Sequence, residues 1–277
     1  MKVSGIATVY NEEASCDYWI KSYIDQSEHC NELIIIDGFS TDKTFEKLKH
    51  YSKKHHKLNI KVFRSKKANL KHSSSPIAEG RNIAISKSKN DLIICFDFGC
   101  EYPINYVKEM SELLIKSKPR KNIVGGYFSA RNKQSKTAQN YSKHFFPKIS
   151  DLKQNFIPSS RSLAFQKNVW EEIKGYDTKY ITGEDTDFIL RALKHGFKIG
   201  YNTNVDVKWD NPQNLKQIFK KHRSYAQGKA EFKIKNKIFL RSILIFFPIY
   251  FFGGGFIVKY VVNLANVVGY CDRKFLR

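Results

Sequence analysis

Apolar residues along this chain fall into two alternating rhythms. Val3 to Val9 is a short, mostly apolar run closed by the polar turn Tyr10-Asn11-Glu12-Glu13, and Glu32 to Ile36 is a second run closed by Asp37-Gly38-Phe39-Ser40. Between them Cys16, Trp19, Ile20, Tyr23 and Ile24 recur at the spacing that lays one helical face on a core. The pattern repeats with a helix capped by Thr41 or Asp42 and reaching about Lys54, then a third strand over about Asn59 to Phe63. A basic, Ser-rich loop from Arg64 to Ser75 follows, and Pro76 opens a further helix. Next, Leu92-Ile93-Ile94-Cys95-Phe96 is apolar without a break, which reads as a strand buried on both faces and closed by Asp97-Phe98-Gly99-Cys100. Strands alternating with helices at this spacing predict an α/β domain with a mainly parallel sheet and right-handed crossovers.

In such a sheet, ligands bind at the carboxyl edge of the strands. Three strand ends offer polar groups to that edge: Tyr10, Asn11 and Glu12 from the first, Asp37 from the second, Asp97 from the fourth. Each alone is an ordinary turn or cap residue. Together they mark one rim as the candidate site. Further on, Gly125 to Phe128 reads as another strand, and the polar, aromatic-dotted stretch from Arg131 to Asn155 is expected to meet a second substrate. Pro158 to Phe165 is a small-residue segment, and Trp170, Ile173, Gly175 and Tyr176 suit a short helix ending in glycine. Gly183-Glu184-Asp185-Thr186-Asp187 opens another helix, where acids are welcome against the backbone dipole while Phe188, Leu190 and Leu193 pack below. A basic helix runs from Leu215 to Gly228.

Composition narrows the picture. With 277 residues and 42% hydrophobic content the chain can bury one large α/β domain and an appendage, so disorder is not expected. Lys+Arg 48 against Asp+Glu 26 gives a net +22, which calls for an anionic partner: nucleic acid, an acidic membrane surface or a phosphorylated substrate. Nucleic acid is not expected, because no recognised binding pattern occurs and carboxylates at three strand ends repel phosphate. The five cysteines include no Cys-x-x-Cys pair, which favours reduced thiols over a disulfide framework or zinc site. Met1 leads into Lys2-Val3-Ser4-Gly5, too polar for a signal peptide. From Ile238 the composition shifts. Ser242 to Val258 is uncharged between Arg241 and Lys259, and Tyr260 to Tyr270 is mostly apolar. Pro248 and Gly253-Gly254-Gly255 break a straight span, so a re-entrant or interfacial helix pair beside anionic headgroups is expected; an apolar hairpin packed on protein is the other reading.

Thr8-Val9-Tyr10-Asn11-Glu12, Ile35-Ile36-Asp37-Gly38-Phe39-Ser40-Thr41-Asp42, Gly80-Arg81-Asn82, Phe96-Asp97-Phe98-Gly99-Cys100 and Gly183-Glu184-Asp185-Thr186-Asp187 resemble, in this order, the family 2 glycosyltransferases of the GT-A fold. The resemblance implies a mainly parallel nucleotide-binding sheet flanked by helices, and transfer of a sugar from a nucleotide-diphosphate-sugar to an acceptor hydroxyl with inversion. It implies that Thr8, Tyr10, Asn11, Glu12, Asp37, Gly80, Arg81, Asp97 and Arg161 line the donor. Tyr10 would lie on the base ring, Glu12 would hold the ribose, Asp37 would accept from the base edge and Arg81 would fork onto base or phosphates. Asp97 would anchor a divalent cation, Mg2+ or Mn2+, and Asp185 would be the general base with Glu184 binding or orienting the acceptor.

The chain departs from the common Asp-x-Asp and resembles the subset with Asp-x-Gly-Cys. A His ligand found in relatives is replaced by the stretch Asp206 to Pro212, where Asp206 or Asp210 could serve, or lysine-rich loops could neutralise the diphosphate instead. The Gln-x-x-Arg-Trp of processive synthases is absent at Lys220 to Tyr225, which favours addition of a single sugar. The expected division is a transferase domain over 1–236, with a nucleotide-binding half 1–100 and an acceptor half 101–236. A hydrophobic helical appendage, 237–277, would hold the enzyme at the cytoplasmic face of the membrane, where the acceptor would be a lipid-linked glycan or polysaccharide precursor. Two other classes are alternatives. A nucleic-acid-binding protein is disfavoured as above, and a nucleotidyltransferase on a related sheet would carry a glycine-rich phosphate loop that Tyr10-Asn11-Glu12 is not.

Overall fold

The computed structural model of this chain describes residues 2–26, 28–131, 135–153, 156–230 and 255–275. The first half runs β1 (Val3–Val9), α1 (Glu13–Ile24), β2 (Glu32–Asp37), α2 (Thr44–Lys54), β3 (Ile60–Arg64), α3 (Pro76–Lys87) and β4 (Leu92–Cys95). It continues through β5 (Cys100–Glu101), α4 (Tyr106–Lys116), β6 (Ile123–Ala130), α5 (Lys136–Phe145), β7 (Leu163–Gln166), α6 (Lys167–Glu172), α7 (Glu184–Lys194), β8 (Ile199–Trp209), α8 (Leu215–Lys229) and α9 (Phe256–Phe275). The eight strands form one sheet in the order β3-β2-β1-β4-β7-β6-β8-β5. β3, β2, β1 and β4 are mutually parallel, whereas β7 joins β4, and β6 joins β7, antiparallel.

Register sets up the rim. Val9 sits beside Asp37, and Asp37 beside Arg64, while Ile6 sits beside Cys95. The turns after β1, β2, β3 and β4 therefore leave the sheet at one edge. Every residue of β2 and of β4 is buried, as expected of central parallel strands covered on both faces. On one face Ile6, Ile34, Ile36, Ile93 and Cys95 pack with Ala78, Ala84 and Ile85 of α3 and with Phe165, Tyr176, Phe188 and Ile189, each large apolar side chain contributing about 1.5–3 kcal/mol by leaving water.

Two local readings shift. α2 begins at Thr44, because Asp42 turns back to accept from the Thr44 amide at 3.0 Å and its hydroxyl at 2.6 Å, so the cap is built ahead of the first helical turn. β3 runs one residue further than its apolar pattern, to Arg64.

By internal contacts the chain divides into two units. One comprises 1–129, 147–179 and 184–209 and holds the sheet; the other comprises 130–146, 180–183 and 210–277. Within the second unit α9 packs along α8 and touches α5. The approach is close at Gly269, where a Cβ would lie 2.1 Å from the Arg223 carbonyl oxygen. Arg223 and Asp272 form an ion pair at 2.5 Å, and the Tyr141 hydroxyl meets His222 Nε2 at 3.0 Å. Residues 242–254 of the uncharged Ser242–Val258 stretch lie outside the described residues; its last part opens α9. Among the described residues no helix is long and apolar enough to cross a membrane. All five cysteines are free, four of them buried.

Candidate active site

Asp97 leaves the end of β4 on a backbone held from three directions. Its amide donates to the Tyr102 hydroxyl at 2.6 Å, that hydroxyl donates to the Asp97 carbonyl at 3.3 Å, and Trp19 Nε1 donates to the same carbonyl at 3.1 Å. Trp19 in turn stacks on Phe98 at 3.8 Å, and Gly99 takes the left-handed φ of 75° that the tight turn needs. The side chain remains 26% exposed. Neither Tyr102 nor Trp19 was singled out from sequence, where each reads as an ordinary core aromatic.

Arg81, from α3, is buried, and both ends of its fork are used inside the protein. Nη2 donates to Asp97 Oδ1 at 2.8 Å and Nη1 to Glu184 Oε1 at 2.5 Å, with the guanidinium 5.5 Å from the Tyr176 ring. The resemblance implies a fork aimed at base or phosphates. The structure aims it at two carboxylates, because an arginine out of water needs counter-charges in reach. Burial works against its charge, and Asp97 and Glu184 outweigh it, holding Arg81 well above its ordinary value.

Glu184 and Asp185 are neighbours in sequence with different surroundings. Glu184, first in α7, is buried; burial and the charge of Asp185 push its carboxyl up to about 7 against the pull of Arg81. Asp185 is half-buried and oriented by backbone, its Oδ2 accepting from the Ser160 amide at 3.3 Å and its Oδ1 from the Thr186 amide at 2.8 Å. Next to Ser160, Arg161 lies over Trp209 at 4.0 Å and Phe128 at 5.3 Å and donates to Ser159 Oγ at 3.2 Å. Below this cluster the Cys95 thiol is pushed up to about 12 by burial, so it is no nucleophile.

The residues after β1 and β2 bind mostly to one another. Asn11, at φ 53°, accepts from the Thr41 amide at 2.8 Å and donates to the Thr41 hydroxyl at 3.2 Å, while its own amide donates to Ser40 Oγ at 3.0 Å. Glu12 accepts from the Ser15 hydroxyl at 2.6 Å. Asp37 is fully buried, accepting from the Ser40 amide at 3.1 Å and pairing with Arg64 Nε at 3.2 Å, so its carboxylate is not on the open rim where a base edge would meet it. Half-buried Tyr10 sits beside Gly38, where an added Cβ would lie 3.5 Å from Tyr10 Cβ. Gly80 also has a packing reason for its size: a Cβ there would lie 2.2 Å from Thr8 Oγ1, where α3 crosses β1. Of the residues named from sequence, Arg81, Asp97 and Glu184 touch directly. Asp37 and Asn11 are tied instead into the β1 and β2 loops.

Residues 4–173 match Glycosyl transferase family 2, and 111–271 match Glycosyl transferase family group 2. The chain belongs to glycosyl transferase family 2. The sequence of this glycosyltransferase is 26% identical over 246 residues, 82% of its own chain and 73% of the other, to a Methanococcus voltae dolichyl N-acetyl-alpha-D-glucosaminyl phosphate 3-beta-D-2,3-diacetamido-2,3-dideoxy-beta-D-glucuronosyltransferase. Its fold is similar to that of the mannosyltransferase PcManGT from Pyrobaculum calidifontis in complex with GDP-Man and Mn2+, with TM-score 0.64 and 14% identity over 97% of this chain and 72% of that one. It is also similar to TarS 1-349 of S. aureus, with TM-score 0.60 and 16% identity over 98% and 89% of the two chains. The GT-A architecture read from the motifs is the one observed.

The glycosyltransferase offers little to a resident divalent cation. Hard cations of this kind take about six or more oxygen ligands. Asp97 supplies one carboxylate, one oxygen of which carries Arg81, and no cluster of three or more His, Cys, Asp or Glu exists among the described residues. The two acids that could substitute as ligands are engaged elsewhere: Asp206 pairs with Lys208 and accepts from the Ser129 hydroxyl at 3.0 Å, and Asp210 pairs with Arg131 at 3.0 Å. The side chains present do not by themselves fit the ion.

Proposed function

We propose that this glycosyltransferase moves one sugar at a time from a nucleotide-diphosphate-sugar to the hydroxyl of a lipid-linked glycan or polysaccharide precursor, with inversion, and that it belongs to the Asp-x-Gly-Cys subset. The observation that carries the reading is the buried Arg81 joining the strand-end acid Asp97 to Glu184, which leaves the adjacent Asp185 half-buried and oriented by two backbone amides. In this reading Asp185 takes the proton of the acceptor hydroxyl as its oxygen attacks the anomeric carbon. The bond to the diphosphate breaks on the opposite side, which inverts the centre. Glu184, held by Arg81, orients the first turn of α7. Tyr10 and Glu12 lie on the loop that would face the nucleoside, and Arg161 with the exposed lysines Lys66, Lys67 and Lys71 is the available counter-charge for the departing diphosphate. An Mg2+ ion, or an Mn2+ ion as in the complex of the Pyrobaculum mannosyltransferase, would depend on the diphosphate and water for most of its ligands, so no step here is routed through it.

The acceptor class rests on the dolichyl phosphate in the name of the Methanococcus relative, and the donor class on the GDP-Man of the PcManGT complex and the UDP-GlcNAc of a complex of S. aureus TarS 1-349. We place the enzyme at the cytoplasmic face of the membrane, with 1–236 as the transferase domain, 237–277 as the associating segment and the +22 charge toward anionic lipid. Purified protein screened in detergent against a panel of nucleotide-sugars should hydrolyse one donor slowly and transfer it faster once acceptor is added. Asp185→Asn should lower transfer by about 100-fold or more with nucleotide affinity nearly unchanged. Transfer surviving in a folded Asp185→Asn protein would sink the assignment.

A further inference from the structure

Arg64 ends β3 directly across from Asp37, on the last rung that β2 and β3 share. Its Nε holds the buried Asp37 carboxylate at 3.2 Å, and its guanidinium lies 3.9 Å from the Phe45 ring and 5.3 Å from the Phe39 ring. The side chain is 33% exposed, and among the described residues its two terminal nitrogens donate to no protein acceptor. Four N–H donors are thus fixed in direction by an ion pair and an aromatic face, at the sheet edge, with nothing to bind. Phe39 beside it is 39% exposed and sits at φ 59°, a backbone conformation that is strained for a bulky side chain and that tends to persist at functional sites.

We infer that Arg64 is the residue that selects the nucleobase of the donor, taking a base with an oxo edge, uracil or guanine, over one with an amino edge. The inference rests on the nucleotide-sugar reading above and deepens it. Asp37 is fully buried and already accepts from Ser40 and Arg64, so it is not the group that meets the base. Its work is to aim Arg64. A guanidinium has donors only. Set against O4 of uracil or O6 and N7 of guanine it finds acceptors, whereas in place of O4 or O6 cytosine and adenine present an amine, donor against donor, and adenine keeps N7 alone as an acceptor. The exposed face of Phe39 gives the ring something to lie on.

The test is calorimetric binding of UDP, CDP, GDP and ADP to the full chain and to Arg64→Lys and Arg64→Met. Each pair, UDP with CDP and GDP with ADP, shares sugar and phosphates within a base class, so the ratio isolates the base edge. The wild type should favour one oxo base over its amino counterpart by about tenfold or more. Arg64→Lys keeps a charge on Asp37 and so keeps the fold, but replaces the fork with a point charge, and the ratio should fall several-fold. Arg64→Met should bring it near one. An unchanged ratio in folded variants, equal loss for all four nucleotides, or a wild type that does not discriminate would overturn the inference alone. A wild type that binds none of the four would overturn the nucleotide-sugar reading and this inference with it. Where Arg64→Met does not fold, the ratio in Arg64→Lys set against the wild type decides.

Discussion

At the scale of single residues, adjacency in sequence did not mean equivalence in chemistry. Glu184 and Asp185 read as one acidic pair at a helix start, yet the first is buried against a guanidinium and the second faces backbone amides. That difference has a measurable consequence. The carboxyl of Glu184 is raised from an ordinary 4.5 to about 7 by burial first and by Asp185 second. A group whose folded value lies above its unfolded one contributes stability that is fully present below about 4.5 and is lost as pH rises through 7. Urea midpoints of wild type and Glu184→Gln should therefore diverge between pH 5 and pH 8, the wild type losing ground relative to the variant as pH rises. Parallel midpoints would show that Glu184 does not bind its proton more tightly when folded. The motifs exposed Arg81 and Asp97, but not that they bind each other, because α3 and the end of β4 meet only across the folded sheet.

At the scale of elements, the helix α3 carries the arrangement. Its residue Gly80 lets it lie on β1 at Thr8, and the next residue, Arg81, then reaches both Asp97 and Glu184. Gly80→Ala would place a methyl 2.2 Å from Thr8 Oγ1, so the helix must retreat. The expected loss is about 1–3 kcal/mol of stability, by overpacking that outweighs alanine's better helix propensity. Turnover should fall with it, because Arg81 moves with the helix. Denaturation and kcat measured on the same preparation check this, and unchanged values for both would mean that the contact relaxes freely. The strand and helix rhythm of the first hundred residues was legible, since each element there buries its own continuous or periodic apolar face. The antiparallel direction of β7 and β6 was not, because a short buried strand such as Leu163–Gln166 has the same apolar pattern either way along the chain.

At the scale of the whole molecule, the net charge of +22 far exceeds what the site itself uses. On the proposed membrane reading, the protein should co-sediment with vesicles containing anionic phosphatidylglycerol and not with neutral phosphatidylcholine vesicles. Roughly 0.5 M salt should release it, the Debye length then being only several ångströms. Equal binding to both vesicle types, indifferent to salt, would point to apolar insertion alone. Within the described residues α9 spends its apolar stripe on α8 and α5, so that helix is packed against protein.

What the sequence settled by itself was whatever depends on local pattern: the alternation of strands and helices, the polar closures at Tyr10-Asn11-Glu12, Asp37 and Asp97, and the family those motifs mark. Periodicity and turn chemistry act over a few residues, so they survive without the fold. Which of those polar groups stay open and which bind each other was decided only by tertiary structure. Partners such as Arg81 with Glu184, 103 residues apart, or Asp37 with Arg64, 27 apart, are chosen by where the sheet sets its strand ends. Burial, which raises Glu184 and encloses Asp37, is a property of everything packed around a side chain and is not written at its own position.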